Sequence, residues 1–90
     1  MKKRIKVSYN GRVQGVGFRF TAEHLAKAMG ISGWVQNLKN GQVEIVAQAE
    51  ETVLKEFLKK IYDHFSPYIK DFEIKWLEVS EDLEDFEIKF

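Results

Sequence analysis

The chain contains no cysteine, only one proline and no long uninterrupted hydrophobic run. Without cysteine it has no disulfide framework, no thiolate nucleophile and no cysteine-ligated metal site. No apolar run approaches the length of a membrane span, and the basic start at residues 1–4 is not followed by the apolar core of a signal peptide. These absences predict a cytoplasmic protein that does not associate with a membrane.

The length and composition predict one packed domain over residues 1–90. Ninety residues suffice for a single hydrophobic core, and 44% hydrophobic with 13% aromatic residues argue against disorder. Lysine and glutamate are abundant and amides are few, a balance typical of heat-adapted, thermostable proteins. We expect a thermostable monomer.

The net charge of zero hides an asymmetry along the chain. Residues 1–40 carry an excess of seven positive charges, and residues 41–90 carry an equal negative excess. If the halves interleave, these charges pair across the surface; if they segregate, the basic half attracts an anionic ligand. Nucleic-acid-binding domains are more often basic overall, so we expect no nucleic-acid partner.

A glycine-rich segment lies in the basic half, with the sequence Gly11-Arg12-Val13-Gln14-Gly15-Val16-Gly17-Phe18-Arg19. Glycine tolerates positive φ, so such a loop can curl with successive N–H groups pointing inward. A concavity of this kind beside a helix N-terminus suits phosphate, and Arg19 adds a planar fork that matches two phosphate oxygens. A tight strand-to-helix connection that merely contains glycine is the alternative, and the loop alone does not decide between them.

Hydrophobic spacing predicts the elements on either side of this loop. Alternation over residues 3–13 predicts a half-buried strand, and apolar residues at helical spacing predict a helix ending near Met29. Thr21 is its predicted cap, Glu23 an acid in its first turn, and Gly30 its C-terminal stop.

The rest of the chain predicts a hairpin, a helix and two strands. Asn40-Gly41 between the extended runs 31–38 and 42–49 is a strong hairpin signal. A second helix begins at residues 50–52 and ends at Ser66-Pro67, since proline cannot continue the hydrogen-bond ladder. A strand is predicted near residues 72–76, and its alternation slips at Leu77 and Val79, which suggests a bulge or a change of partner. An acidic loop over residues 78–85 and a short strand over residues 86–90 complete the chain.

This order, β-α-β-β-α-β-β, predicts a ferredoxin-like α/β sandwich of the α+β class. In that fold the sheet is mostly antiparallel, and both helices pack on one face. The polar side of each strand would then face solvent on the opposite side of the sheet.

A second candidate feature is the segment Gly33-Trp34-Val35-Gln36-Asn37 at the end of the second predicted strand. The asparagine carboxamide offers a donor and an acceptor, so it can hold and aim a water molecule without taking up a proton. Taken alone, Asn37 is more often a residue that stabilises a strand end beside a turn.

Together these features resemble the acylphosphatase family over essentially the whole chain. The family loop Gly-x-Val-Gln-Gly-Val-Gly-Phe-Arg stands at residues 11–19, and its Gly-aromatic-small-x-Asn pattern stands at residues 33–37. The resemblance implies that Arg19 binds phosphate and that Asn37 orients the attacking water. It also implies that the loop amides of Gln14, Gly15, Val16, Gly17 and Phe18 complete the phosphate-binding site.

The reaction implied by the resemblance is hydrolysis of an acyl phosphate to a carboxylate and inorganic phosphate. A carboxylate departs without protonation, so no general acid is needed, and we expect no cofactor and no metal ion. His24 on a helix and His64 at a helix end are expected to be surface or capping residues. No carboxylate–histidine cluster has metal-ligand spacing.

Two non-catalytic alternatives stay open at this point. One is a binding module for RNA or another anionic ligand, although the predicted strand at residues 42–46 lacks the aromatics that RNA-recognition domains use. The other is a catalytically quiet domain beside a partner that handles carbamoyl phosphate. Residues 64–68 and 78–85 depart from the family pattern, and we expect both segments to lie far from the two motifs.

Overall fold

The computed structural model describes residues 1–79 and 81–90, in which two helices pack against one mixed five-stranded sheet. The elements are β1 Lys2–Gly11, α1 Phe18–Ala28, β2 Ser32–Asn37, β3 Val43–Glu50, α2 Glu51–Phe65, a 3₁₀ turn Ser66–Tyr68, β4 Ile69–Leu77 and β5 Phe86–Lys89. Among these residues no helix is long and apolar enough to cross a membrane. Residue 80, inside the predicted acidic loop, lies outside the described residues.

The strand order is β4-β1-β3-β2-β5, and all neighbours pair antiparallel except β2 and β5. The two strand-helix-strand units interleave, so β1 and β3 occupy the middle of the sheet. The predicted ferredoxin-like topology is confirmed. The Asn40-Gly41 hairpin is confirmed as well, with the Leu38 N–H donating to the Gln42 carbonyl oxygen at 2.8 Å.

The core lies between the sheet and the helices, as the alternation predicts. Ile5, Val7 and Tyr9 of β1 are buried on the helix side, and α2 contributes Leu54, Phe57, Ile61 and Phe65. The polar positions of β1 point to the other face, where the two charged halves of the chain interleave. Lys6 Nζ lies 3.7 Å from Glu44 Oε2 across β1 and β3.

The start of α1 differs from the prediction. The helix begins at Phe18, directly after Gly17, which has φ 81° and provides no side-chain cap. The backbone N–H of Thr21 donates to the Gly17 carbonyl oxygen at 3.1 Å, so Thr21 is inside the helix and is not its cap. The prediction of Glu23 in the first turn is therefore wrong too, because the left-handed Gly17 starts the helix four residues before the predicted position. Gly30, with φ 70°, does follow the helix end as predicted.

The predicted irregularity near Leu77 is at the wrong end of its strand. β4 ends at Leu77, so the break in alternation marks the end of the strand. The register shift lies where Ile69 and Asp71 of β4 pair with Gly11 and Asn10 of β1, which leaves one extra residue on β4.

The acidic connection joins β4 and β5, which lie at opposite edges of the sheet. Its described residues, 78, 79 and 81–85, form neither helix nor strand. Arg4 Nη2 donates to the Glu81 carbonyl oxygen at 2.7 Å, and the Gly33 N–H donates to the Asp85 carbonyl oxygen at 2.9 Å. The connection is therefore fastened near the N-terminal ends of β1 and β2.

Candidate active site

The loop between β1 and α1 is shaped by Gly15 and Gly17, which both have φ +81°. Any residue with a Cβ is strained in this left-handed conformation. A Cβ built on either glycine would meet no other atom within 4 Å. The glycines thus set the backbone course, and the space beside them stays open to a ligand.

The loop ends at the N-terminus of α1, whose position is fixed by aromatic packing. The Phe18 ring is buried, with its centroid 5.0 Å from that of Tyr9 and 4.6 Å from that of Phe65. Burial raises the pKa of the Tyr9 hydroxyl far above its ordinary value, so this side chain stays neutral. The first N–H groups of a helix have no intrahelical acceptor, and the N-cap residue Gly17 has no side chain that could cap them. This end of α1 therefore favours a bound anion.

Arg19 lies in the first turn of α1 and is partly exposed. Its Cζ atom lies 5.1 Å from the ring centroid of Phe90, a cation–π distance. The sequence pattern predicts Phe90 only as part of the last strand, so its place beside Arg19 is a finding of the structure. The pairing of β5 with β2 explains why Phe90 reaches the site. The two strands run parallel, with Gln36 beside Lys89, so Phe90 lies level with Asn37.

Asn37 is the last residue of β2 and shares a side of the strand with Val35, which is fully buried under the helices. Its side chain therefore points toward the layer that contains the N-terminus of α1. Within the described part of the chain, its Oδ1 atom is buried and accepts no hydrogen bond. A desolvated acceptor of this kind is costly unless it has a partner, so it is suited to accept a hydrogen bond from a bound molecule.

Gln14 links the loop to the hairpin. Its Nε2 atom donates to the carbonyl oxygens of Leu38, at 2.8 Å, and Gln42, at 2.9 Å. The Gln14 side chain thus holds the glycine loop beside the strand end that carries Asn37. Val16 is partly buried and packs against the core. These two predicted site residues contribute side chains to the support of the loop.

The remaining predicted residues surround a cavity of about 220 Å³. Its lining consists of Val13, Gly15, Gly17, Phe18, Arg19, Phe20 and Asn37. Val13 and Phe20 were not among the predicted site residues. Phe20 is 66% exposed in the first turn of α1. An aromatic residue on the polar side of an amphipathic helix is the feature that could have marked it as a site residue.

The segment at residues 64–68 was expected to lie far from the motifs, and this expectation is wrong. Phe65 stacks on Phe18, and the Arg12 N–H donates to the Tyr68 carbonyl oxygen at 2.8 Å. The same expectation is wrong for the acidic connection, which contacts Gly33, the first residue of the second motif, although four residue steps of extended strand, roughly 13 Å, separate Gly33 from Asn37. None of the described residues of that connection lines the cavity described above.

Among residues 1–79 and 81–90, no three histidine or carboxylate side chains cluster in a way that could hold a metal ion. The polar groups around the cavity are the guanidinium of Arg19, the carboxamide of Asn37 and the backbone of the glycine loop.

Comparison with known proteins identifies the family. The acylphosphatase family model matches residues 5–88. This chain belongs to the acylphosphatase family. It is 36% identical to the acylphosphatase of Caldanaerobacter subterraneus subsp. tengcongensis, over 98% of this chain and 99% of that protein. The crystal structure of the Bacillus subtilis acylphosphatase superposes with a TM-score of 0.90 at 32% identity and covers all of both chains.

The same fold also occurs within a larger protein of known structure. Full-length HypF, solved in a phosphate- and nucleotide-bound form, matches the whole of this chain with a TM-score of 0.89 and 26% identity, over 12% of its own length. Family membership makes this chain a hydrolase of acyl phosphates and confirms the resemblance noted in its two motifs. An enzyme is therefore favoured over the two non-catalytic alternatives.

Proposed function

We propose that residues 14–19 bind the phosphoryl group of an acyl phosphate and that Asn37 directs a water molecule onto its phosphorus atom. The observation that supports this assignment is the convergence of Gly15, Gly17, Arg19 and Asn37 on one cavity. These residues come from two separate motifs, a loop-helix junction and a strand end.

Phosphate binding would combine backbone and side-chain groups. The left-handed glycines turn the loop so that its N–H groups and those of the first turn of α1 can donate to the phosphoryl oxygens. Arg19 supplies a permanent charge and a fork able to donate two parallel hydrogen bonds. Phe90 packs against its guanidinium and limits the orientations that it samples.

Water activation would rest on Asn37. Its buried Oδ1 accepts a hydrogen bond from the nucleophilic water, which turns an oxygen lone pair toward phosphorus. Gln14 fixes the strand end relative to the glycine loop through its two bonds to the hairpin. The attacking water and the phosphoryl group are thereby held in one geometry, which is the main requirement of phosphoryl transfer.

The bond changes need no acid from the protein. The water oxygen forms a bond to phosphorus while the phosphorus–oxygen bond to the acyl group breaks, and its electron pair leaves on the carboxylate. The proton that the water loses passes to the phosphate product or to solvent. The lining side chains include no carboxylate or imidazole. We therefore propose hydrolysis without a metal ion or a cofactor. We further propose that the enzyme acts in the cytoplasm and that each chain forms a complete catalytic unit.

The direct test is phosphate release from acetyl phosphate and benzoyl phosphate in the presence of a chelator. Arg19→Ala should lower kcat/KM by about 10³-fold and weaken inhibition by inorganic phosphate, because the anchoring charge is lost. Arg19→Lys should also be impaired, since a point charge does not reproduce the fork. Arg12→Ala, in the same loop but outside the cavity lining, is the matched control and should retain activity. Near-normal turnover of Arg19→Lys would contradict the two-bond role.

A further inference from the structure

A chain of side-chain hydrogen bonds crosses one end of the sheet, from the hairpin between β2 and β3 to β4. Asn40 Nδ2 donates to Gln42 Oε1 at 2.9 Å, and Gln42 Nε2 donates to Asn10 Oδ1 at 2.9 Å. Asn10 Nδ2 donates in turn to Asp71 Oδ1 at 2.6 Å. Gln42 and Asn10 thus each accept one bond and donate the next, and the chain ends on a carboxylate, an arrangement in which the bonds polarise and strengthen one another. None of the four side chains lines the cavity.

Gln42 connects this chain of hydrogen bonds to the proposed catalytic groups. Its backbone carbonyl oxygen accepts from Gln14 Nε2 at 2.9 Å and from the Leu38 N–H at 2.8 Å. Gln14 belongs to the glycine loop, and Leu38 directly follows Asn37. The position of Gln42 therefore sets the separation between the loop that would bind phosphate and the residue that would orient the water.

Asn10 holds Gln42 from the β1 side. The paired register of β1 and β3 runs as far as Tyr9 and Val43, and the bond between Asn10 and Gln42 continues the connection one residue further. On the other side Asn10 pairs with Asp71, next to the register shift of β4. Because the carboxylate takes the N–H of the Asn10 amide, the amide oxygen is turned toward Gln42.

We propose that Asn10 is a positioning residue for the hydrolysis, acting through Gln42 to keep Asn37 aligned with the glycine loop. The inference rests on the proposed roles of Asn37 and of the loop. Phosphoryl transfer depends on alignment of the attacking water with phosphorus, and a displacement of about 1 Å can lower its rate about 10²-fold. Arg19 and the N-terminus of α1 make none of these bonds, so loss of Asn10 should affect the rate more than phosphate binding.

The test compares kcat for acetyl phosphate with the inhibition constant of inorganic phosphate. Asn10→Ala should lower kcat about tenfold and change the inhibition constant by less than about twofold. Asn10→Asp should be impaired at least as much, because it loses the donor and places a second carboxylate beside Asp71. Adding Asp71→Asn to Asn10→Asp should restore most of kcat. The amide and the carboxylate then exchange places, the acceptor for Gln42 returns, and the net charge equals that of the wild type.

Lys6→Ala is the matched control. It removes a different contact between β1 and β3 on the same face of the sheet, the pair of Lys6 with Glu44 at 3.7 Å, and should leave kcat unchanged. Thermal unfolding of each variant shows whether it is folded at the assay temperature. An Asn10→Ala variant with a lowered melting temperature and normal kcat would overturn the proposal, since Asn10 would then only stabilise the sheet. Failure of the exchanged pair to recover kcat would overturn it as well.

Asn37→Ala, measured in the same assay, separates this inference from the proposed function. If Asn37→Ala retains normal kcat, the water-orienting role is wrong and the role of Asn10 falls with it. If Asn37→Ala is slow while Asn10→Ala is normal, the proposed function stands and only the role of Asn10 is refuted.

Discussion

Replacement of Asn37 by alanine separates a catalytic role from a structural one. Oδ1 of Asn37 is buried and accepts no hydrogen bond from the described residues. Truncation to alanine therefore removes a desolvated acceptor without breaking a hydrogen bond to that oxygen. The free energy of unfolding should therefore change by less than about 1 kcal/mol. Loss of a preorganised polar group that acts on the attacking water should lower kcat by about 10²–10³, equivalent to about 2.7–4 kcal/mol of barrier.

The assay combines steady-state phosphate release with thermal unfolding of the same sample. The inhibition constant of inorganic phosphate should stay close to that of the wild type, because Asn37 acts on water and Arg19 holds the anion. Asn37→Asp keeps the size and one oxygen but adds a negative charge beside the phosphoryl group, so it should also be inactive. An Asn37→Ala variant that is destabilised by about 1 kcal/mol yet fully active would refute the reasoning and assign Asn37 to the strand end.

Two further substitutions test the glycines. Gly17→Val should clearly raise the inhibition constant of phosphate and lower the free energy of unfolding only modestly, because a β-branched residue disfavours φ +81° while its Cβ meets no neighbour. A normal phosphate inhibition constant would count against phosphate binding by the loop. Gly33→Ala should cost about 3 kcal/mol, since the new Cβ would overlap the Val46 carbonyl oxygen at φ +141°. Its melting temperature should fall by roughly 10–20 °C, and an unchanged melting curve would show that the strands can move apart there.

Local chemistry was sufficient to predict most of the fold. The hairpin at Asn40-Gly41 and the helix end at Ser66-Pro67 are determined by residues that restrict their own backbone, so neighbouring sequence suffices. The glycine loop was predicted for the same reason, and Gly15 and Gly17 do adopt the positive φ that the pattern requires. The two motifs also converge on one cavity, as the family resemblance implies.

The incorrect predictions concern choices made by tertiary contacts. Thr21 has the chemistry of a helix cap, but packing of Phe18 between Tyr9 and Phe65 starts the helix four residues earlier. The same packing brings the segment that contains Phe65 against the first motif. No local pattern reports such a contact, because it joins positions nearly fifty residues apart.

The position of Phe90 shows how sheet register can assemble a site from distant sequence. The parallel pairing of β5 with β2 is the one non-antiparallel contact among the described strands, and it brings Phe90 level with Asn37 and against Arg19. Gln14 holds the glycine loop to the adjacent hairpin from the other side. The proposed phosphate anchor and the proposed water-positioning group therefore depend on supports that lie outside the two motifs. Since phosphoryl transfer relies on fixed geometry more than on reactive side chains, these supports should matter for rate as much as for stability.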